Sequence, residues 1–246
     1  MGMDRELKYS NDVEIFFKNI FQKINQGIFV TPQEILAESK NLNLPLADLL
    51  LGILHPLLWQ IGQYFSAGEI SVQKEHLFSM SIQQTLSTLT PAIPDMTDRK
   101  NGVLLFTADE NSHTIGLEFL LRLIIGNGVP VVLLKTPPLT LQQYLIEVGK
   151  YQPRVIGVSI ALPEQMNYVE KLFTWRDENK PHSLVPEIMV GGPAAPSVSS
   201  SDLLNNRVYV SDPYDTKATL EKILQIYLAP IEQIRAAYAS ERNSHY

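Results

Sequence analysis

Between Asn11 and Pro91 the apolar residues recur at helical spacing. In VEIFFKNIFQKI, the residues Val13, Ile15, Phe16, Ile20, Phe21 and Ile24 form one stripe, the pattern of a helix that packs one side on a core. Thr31-Pro32-Gln33-Glu34 reads as the start of a second helix, with a hydroxyl cap, a proline where no N–H is needed and a carboxylate placed to bond back to the cap. A third helix is predicted from about Leu46 towards Phe65, kinked at Pro56 because proline removes a backbone donor. Gly68 stops it, and a fourth runs from Ser71 to about Leu89. These spacings predict a four-helix bundle.

Beyond Thr90 the pattern changes. TPAIPDMTDRKNG carries two prolines and several charges, a composition typical of linkers. After it, short apolar runs alternate with helical segments: VLLFTA, VPVVLL, RVIGVSI, PEIMVGG and RVYVS are each followed by a helix, the last from Lys217 to Tyr227. Alternation of this kind implies right-handed βαβ units around a parallel sheet. The fold class expected is α/β, with the N-terminal bundle followed by a five-stranded, doubly wound, flavodoxin-like or Rossmann-like domain. The expected boundaries are a helical unit over 1–91, a linker over 92–101, the sheet domain over 102–228 and a tail over 229–246.

Composition narrows the function. A net charge of -6 provides no basic surface for a polyanion, so nucleic acid is not an expected partner. There are no cysteines, which excludes disulfides, zinc–thiolate sites, iron–sulfur clusters and cysteine nucleophiles. Any metal must be held by histidine or carboxylate. MGMDRELKYSND has no apolar signal region, and no apolar run approaches the roughly 20 residues of a membrane helix, so the cytoplasm is the expected location and no membrane is involved. No nucleophile–base pair, paired catalytic carboxylates or phosphate loop is evident, so hydrolytic and phosphoryl-transfer chemistry are not expected.

In a doubly wound sheet, ligands sit beyond the carboxyl ends of the strands at the switch point of the strand order. The stretch NSHTIGLEFL leaves strand one at that edge and carries His113 three residues ahead of Gly116. Ser159 ends strand three, and Gly191-Gly192 ends strand four. Each has a plain structural explanation. His113 would be a surface residue, Gly116 a means of packing the first helix close to the sheet, Ser159 a cap for the next turn, and Gly191-Gly192 a tight turn.

Taken in order, an Asx-x-His-x-x-Gly motif after strand one, a serine ending strand three and Gly-Gly ending strand four resemble the cobalamin-binding domain of methionine synthase, corrinoid methyltransferase proteins and cobalamin-dependent photoreceptors. The resemblance implies a corrinoid bound base-off, with His113 coordinating cobalt from below and the nucleotide tail in a slot beside the sheet. Ser159 would hydrogen-bond the buried base, and a side chain at Gly191 or Gly192 would occupy the path of the tail. In the helical half, GQYFSAGEISVQKEH resembles the family's cap motif, in which an aromatic residue is followed after a fixed interval by Glu-His. Phe65 stands where the family has tryptophan, and Glu75-His76 matches; together they would form a lid over the upper face of the corrin.

Three departures refine the expectation. Asn111 stands where the family has aspartate; its amide carbonyl can accept the imidazole N–H without supplying charge, so weaker electron donation to cobalt is expected. Phe65 is smaller than tryptophan, which widens the upper cavity. Ser66 replaces the histidine that some photoreceptors use as a second cobalt ligand, so that product cannot form from this position.

Glu75-His76 favours the photosensory branch, because methyl-carrying corrinoid proteins commonly have an apolar run with proline there. The implied activity is that of a non-enzymatic sensor in which adenosylcobalamin loses its adenosyl group in light and the bundle shifts, altering a dimer or partner surface. The resemblance extends to stand-alone proteins that add a linear tetrapyrrole such as biliverdin, here necessarily noncovalent. About ten residues before the first helix are too few for a helix-turn-helix module, so output would pass through an unidentified downstream protein or self-association. Two other function classes stand beside this one: a methyl-carrying corrinoid subunit of a methyltransferase system, and a ligand-free interaction module.

Overall fold

A computed structural model of the chain describes residues 11–89, 101–108, 114–134, 140–179, 186–195, 209–210 and 215–229. The chain divides into two compact units, Met1–Ala92 and Ile93–Tyr246.

The first unit is helical. Helix α1 spans Asn11–Asn25 and α2 spans Pro32–Asn41. The start of α2 is a complete capping box: Thr31 accepts from the Glu34 N–H at 3.2 Å, and Glu34 accepts from the Thr31 N–H at 2.8 Å. The next helical stretch is continuous but changes pitch, with one α-turn, α3 (Leu46–Asp48), a π-helical segment (Leu49–Leu54) and α4 (His55–Ser66). The irregularity expected at Pro56 therefore takes the form of a π segment placed before it. Proline offers no N–H to the preceding turn, and the His55 N–H reaches back to the Leu50 carbonyl instead. Gly68, at φ +73, ends α4 in a Schellman arrangement in which the Glu69 N–H bonds the Tyr64 carbonyl at 2.8 Å. Ser71 then caps α5 (Val72–Thr88).

Helix α5 packs against α1, α2 and α4. Phe16, Ile20, Ile35, Leu50, Ile53, Leu57, Ile61, Phe78, Ile82 and Leu86 are all buried. Ser81 and Thr85 share the buried side of α5, and their hydroxyls are satisfied within the helix by the carbonyls of Leu77 and Ser81 at 2.9 and 2.8 Å.

The second unit is built on a parallel sheet of five strands: β1 (Val103–Thr107), β2 (Val131–Leu134), β3 (Val155–Ser159), β4 (Glu187–Gly191) and β5 (Tyr209–Val210), in the order β2-β1-β3-β4-β5. Helices α6 (Ile115–Gly126), α7 (Leu141–Tyr151), α8 (Met166–Asn179) and α9 (Thr216–Leu228) flank it. The helix expected between β4 and β5 lies outside the described residues, as does the tail beyond Ala229.

Alternation along the strands sends Leu104, Phe106, Ile156, Val158, Ile188 and Val190 to the side covered by Tyr144 and Val148 of α7 and Val169 and Leu172 of α8. Phe106 stacks on Tyr144 at a centroid distance of 4.1 Å, and Tyr168 meets Tyr144 edge-on at 5.7 Å. Helices α6 and α9 pack on each other, α6 also against β1 and β2 and α9 against β3. The strand order is the flavodoxin-like one, with its switch point between β1 and β3, the edge at which such sheets bind ligands.

Candidate functional site

The site is assembled at the carboxyl edge of the three central strands. Register pairs Thr107 of β1 with Ser159 of β3, and Ser159 with Gly191 of β4, so the last residues of the three strands form one row. The row is tied together beyond the strands: the Ala108 N–H bonds the Ser159 carbonyl at 2.8 Å, and the Ile160 N–H bonds the Gly191 carbonyl at 2.8 Å. Ser159 is buried. The loop that leaves β1 starts at the switch point; Asn111 and His113, which it carries, lie outside the described residues.

The two glycine positions differ in kind. Gly192 has φ +98, and a Cβ there would come within 2.3 Å of the Ile160 carbonyl oxygen and 2.8 Å of Ser159 Oγ. The close approach of its own β3 loop is therefore sufficient reason for glycine at this position. Gly116 is the reverse case. It is exposed at the second position of α6, and no described atom lies within 4 Å of where its Cβ would be. Close packing of the helix on the sheet, one expected reason for this glycine, does not apply among the described residues, which leave the space beside it open.

The loop after β3 is held by a residue that the sequence did not single out. Gln165 Oε1 accepts from the N–H groups of Ala161 at 2.7 Å and Leu162 at 3.1 Å, so the turn after Ser159 is capped from its C-terminal side. Tyr144 does the same for β1. The described pairing of β1 with β2 runs to Phe106, and the Thr107 carbonyl one residue later accepts the Tyr144 hydroxyl at 3.1 Å. Gln165 acts on N–H groups three and four residues back, whereas Tyr144 is selected by a contact across the fold.

A second unanticipated feature lies on α6. Glu118 and Arg122 are buried, at 0% and 3% side-chain exposure, on a helix where every residue from Leu117 to Ile124 is buried. Arg122 Nη1 stands 3.5 Å from Glu118 Oε2 and donates to the Glu118 carbonyl at 2.8 Å. Burial pushes the Arg122 guanidinium below its ordinary value, and the Glu118 carboxylate opposes that shift. Two opposite charges four residues apart in IGLEFLLRLIIG were the available sequence signal.

In the helical unit, Phe65 occupies the last turn of α4 and is 42% exposed. Glu75 closes the first turn of α5 and His76 follows it. The Glu75 carboxylate accepts the Ser79 hydroxyl at 2.5 Å, and His76 Nε2 is 3.6 Å from its other oxygen. Glu75 is thus oriented by two neighbours, while the imidazole is mostly in solvent. Among the described residues, no three histidine, aspartate or glutamate side chains cluster to hold a metal ion.

No protein-family model and no curated protein matches the chain. Among solved structures, the monomethylamine corrinoid protein of Methanosarcina barkeri superposes with a TM-score of 0.65 at 20% identity, over 85% of this chain and 99% of that one. The two share a fold, a helical unit followed by a Rossmann-like α/β domain. The methanol:cobalamin methyltransferase complex of Methanosarcina barkeri matches at 17% identity over 92% of this chain and 85% of that chain, with a TM-score of 0.39. A cobalamin-binding protein of Desulfitobacterium hafniense DCB-2 matches at 17% over 87% and 100%, with a TM-score of 0.41. Scores of 0.39 and 0.41 are too low to establish a shared architecture, so the fold assignment rests on the first structure.

Proposed function

We propose that the chain is a corrinoid-binding protein that carries a methyl group for separate methyltransferases, with no catalytic residue of its own. The observation that carries the corrinoid reading is the row Thr107, Ser159 and Gly191 at the switch point, beside the loop bearing Asn-x-His-x-x-Gly and the open space at Gly116. His113 would hold the cobalt from below with Asn111 as its hydrogen-bond acceptor, and Ser159 would meet the buried base of the tail. A bound corrinoid supplies a cobalt centre that accepts and gives up an alkyl group. The chain's own part is to hold it, orient the imidazole and exclude water. The carrier reading draws support from the fold shared with the monomethylamine corrinoid protein, and the photosensory expectation yields first place to it.

The photosensory reading keeps one specific observation. Glu75, oriented by Ser79 and His76, is a built polar pair where methyl carriers commonly have an apolar run. In that reading Phe65, Glu75 and His76 surround an adenosyl group, and noncovalent biliverdin is a second chromophore.

Apoprotein titrated in darkness with methylcobalamin, adenosylcobalamin and hydroxocobalamin separates these readings. A base-off spectrum that depends on His113, with methylcobalamin bound at least as tightly as adenosylcobalamin, is the result expected. Preference for adenosylcobalamin with a light-driven spectral change, or a biliverdin band that moves with it, would install the sensor instead. No uptake of any of the three would leave a ligand-free interaction module.

A further inference from the structure

The loop after β3 places an apolar side chain at the ligand edge and holds its backbone fixed. Among the described residues of the second unit, the large apolar side chains left exposed are Ile146, Leu162 and Leu228. Ile146 lies midway along α7 and Leu228 ends α9; Leu162, 58% exposed, alone follows the carboxyl end of a strand. A single leucine on a surface is ordinary. Its backbone here is not that of an idle loop.

Every amide from Ile160 to Leu162 is taken. The Ile160 N–H bonds the Gly191 carbonyl at 2.8 Å, and the N–H groups of Ala161 and Leu162 converge on Gln165 Oε1 at 2.7 and 3.1 Å. The Gln165 N–H returns to the Leu162 carbonyl at 3.1 Å, so one residue clamps Leu162 through both its backbone and its side chain. Leu162 is held extended, at φ -127 and ψ 145. Pro163 has no N–H to offer.

Doubly wound folds that bind phosphate do so with free N–H groups at the entry to a helix. At this corner the amide oxygen of Gln165 already takes those N–H groups, and Glu164 adds an exposed carboxylate. The corner therefore refuses an anion. What it offers a ligand is uncharged and apolar: Leu162 and the exposed ring of Pro163.

We propose that Leu162 is a contact residue for the corrin macrocycle and that Gln165 is the positioning residue that holds it in place. This deepens the corrinoid reading and rests on it. The rim of a corrin carries methyl groups and uncharged amides, a surface that a leucine can cover and a phosphate site cannot. Fixing the loop beforehand removes the ordering cost that a mobile leucine would incur on binding.

Leu162→Asn keeps the size of the side chain and removes its apolar character, so the apoprotein should melt within about 2 °C of wild type. With hydroxocobalamin as the probe, binding should weaken roughly 10-fold, the scale of one apolar side chain lost from a contact. Aquacobinamide, a corrinoid without the nucleotide tail, should lose the same factor. A loss confined to hydroxocobalamin would place Leu162 against the tail and overturn the assignment, as would wild-type affinity for both probes.

Gln165→Ala should speed amide exchange in apoprotein peptides covering 160–165 and weaken both corrinoids by a similar factor. Gln165→Glu keeps an oxygen that accepts both N–H groups and should return exchange and affinity to within about 2-fold of wild type. Leu162→Asn should leave exchange unchanged, which separates the contact from the clamp. Unchanged exchange, or wild-type affinity, in Gln165→Ala overturns the positioning role. Failure of wild type to take up either corrinoid removes the corrinoid reading and this contact with it, whereas uptake by wild type and equal uptake by Leu162→Asn removes the contact alone.

Discussion

Gly192 shows how narrowly a single residue can be constrained without reference to any ligand. Its positive φ and the 2.3 Å approach to the Ile160 carbonyl leave no room for a Cβ, so Gly192→Ala should destabilise the protein by about 2–4 kcal/mol, read from the urea midpoint of the full chain. Thr31 is a milder case: Thr31→Ala removes half of a capping box and should cost about 1 kcal/mol. Its partner Glu34 is pulled from 4.5 to about 2, first by the Thr31 N–H and then by Lys23 and the Thr31 hydroxyl. A depressed folded value means the contribution is complete above the unfolded value of 4.5 and is lost as pH falls through about 2. Helix content followed by circular dichroism should therefore decline between these two values, and less so in Glu34→Gln, where an amide keeps the box without titrating.

Among the elements, the carboxyl edge is held from behind by helices that do not contribute motif residues. Tyr144 on α7 donates to the Thr107 carbonyl, one residue beyond the described pairing of β1 with β2. Tyr144→Phe removes this donor to a buried carbonyl and should cost roughly 1–2 kcal/mol by chemical denaturation, with weaker corrinoid binding as the end of β1 loosens. The π segment before Pro56 has the same character. Its sequence, LLLGIL, reads as helix, and the altered pitch follows from the proline two residues beyond together with the burial of Leu49, Leu50, Ile53 and Leu54.

The whole molecule joins two units of unlike construction, and among its described residues no helix is long and apolar enough to cross a membrane. A ligand that binds only the folded sheet unit stabilises it by mass action, about 2.7 kcal/mol at a hundredfold excess over Kd. Melting of the full chain with excess hydroxocobalamin should move upward accordingly, and His113→Ala should abolish most of the shift. An equal shift in the variant would show that binding does not pass through the imidazole.

The order of helices and strands, and with it the doubly wound class, was legible in the chain because apolar period reports local geometry: period 3.6 in VEIFFKNIFQKI, short apolar runs in VLLFT and VIGVS. The carboxyl edge of the candidate site was legible in part for the same reason, since parallel strands end at one edge and Ser159 and Gly191 lie at strand ends. What tertiary structure alone decided is everything that depends on residues far apart in sequence. The row Thr107–Ser159–Gly191 is a matter of register between strands. The glycine at 192 answers to a carbonyl in the neighbouring loop, whereas the glycine at 116 answers to no described atom. The acceptor of the Tyr144 hydroxyl lies 37 residues away, and the burial of Glu118 and Arg122 depends on how α6 is covered. Local period carries none of this, because packing is set by the partner an element meets and not by the element itself.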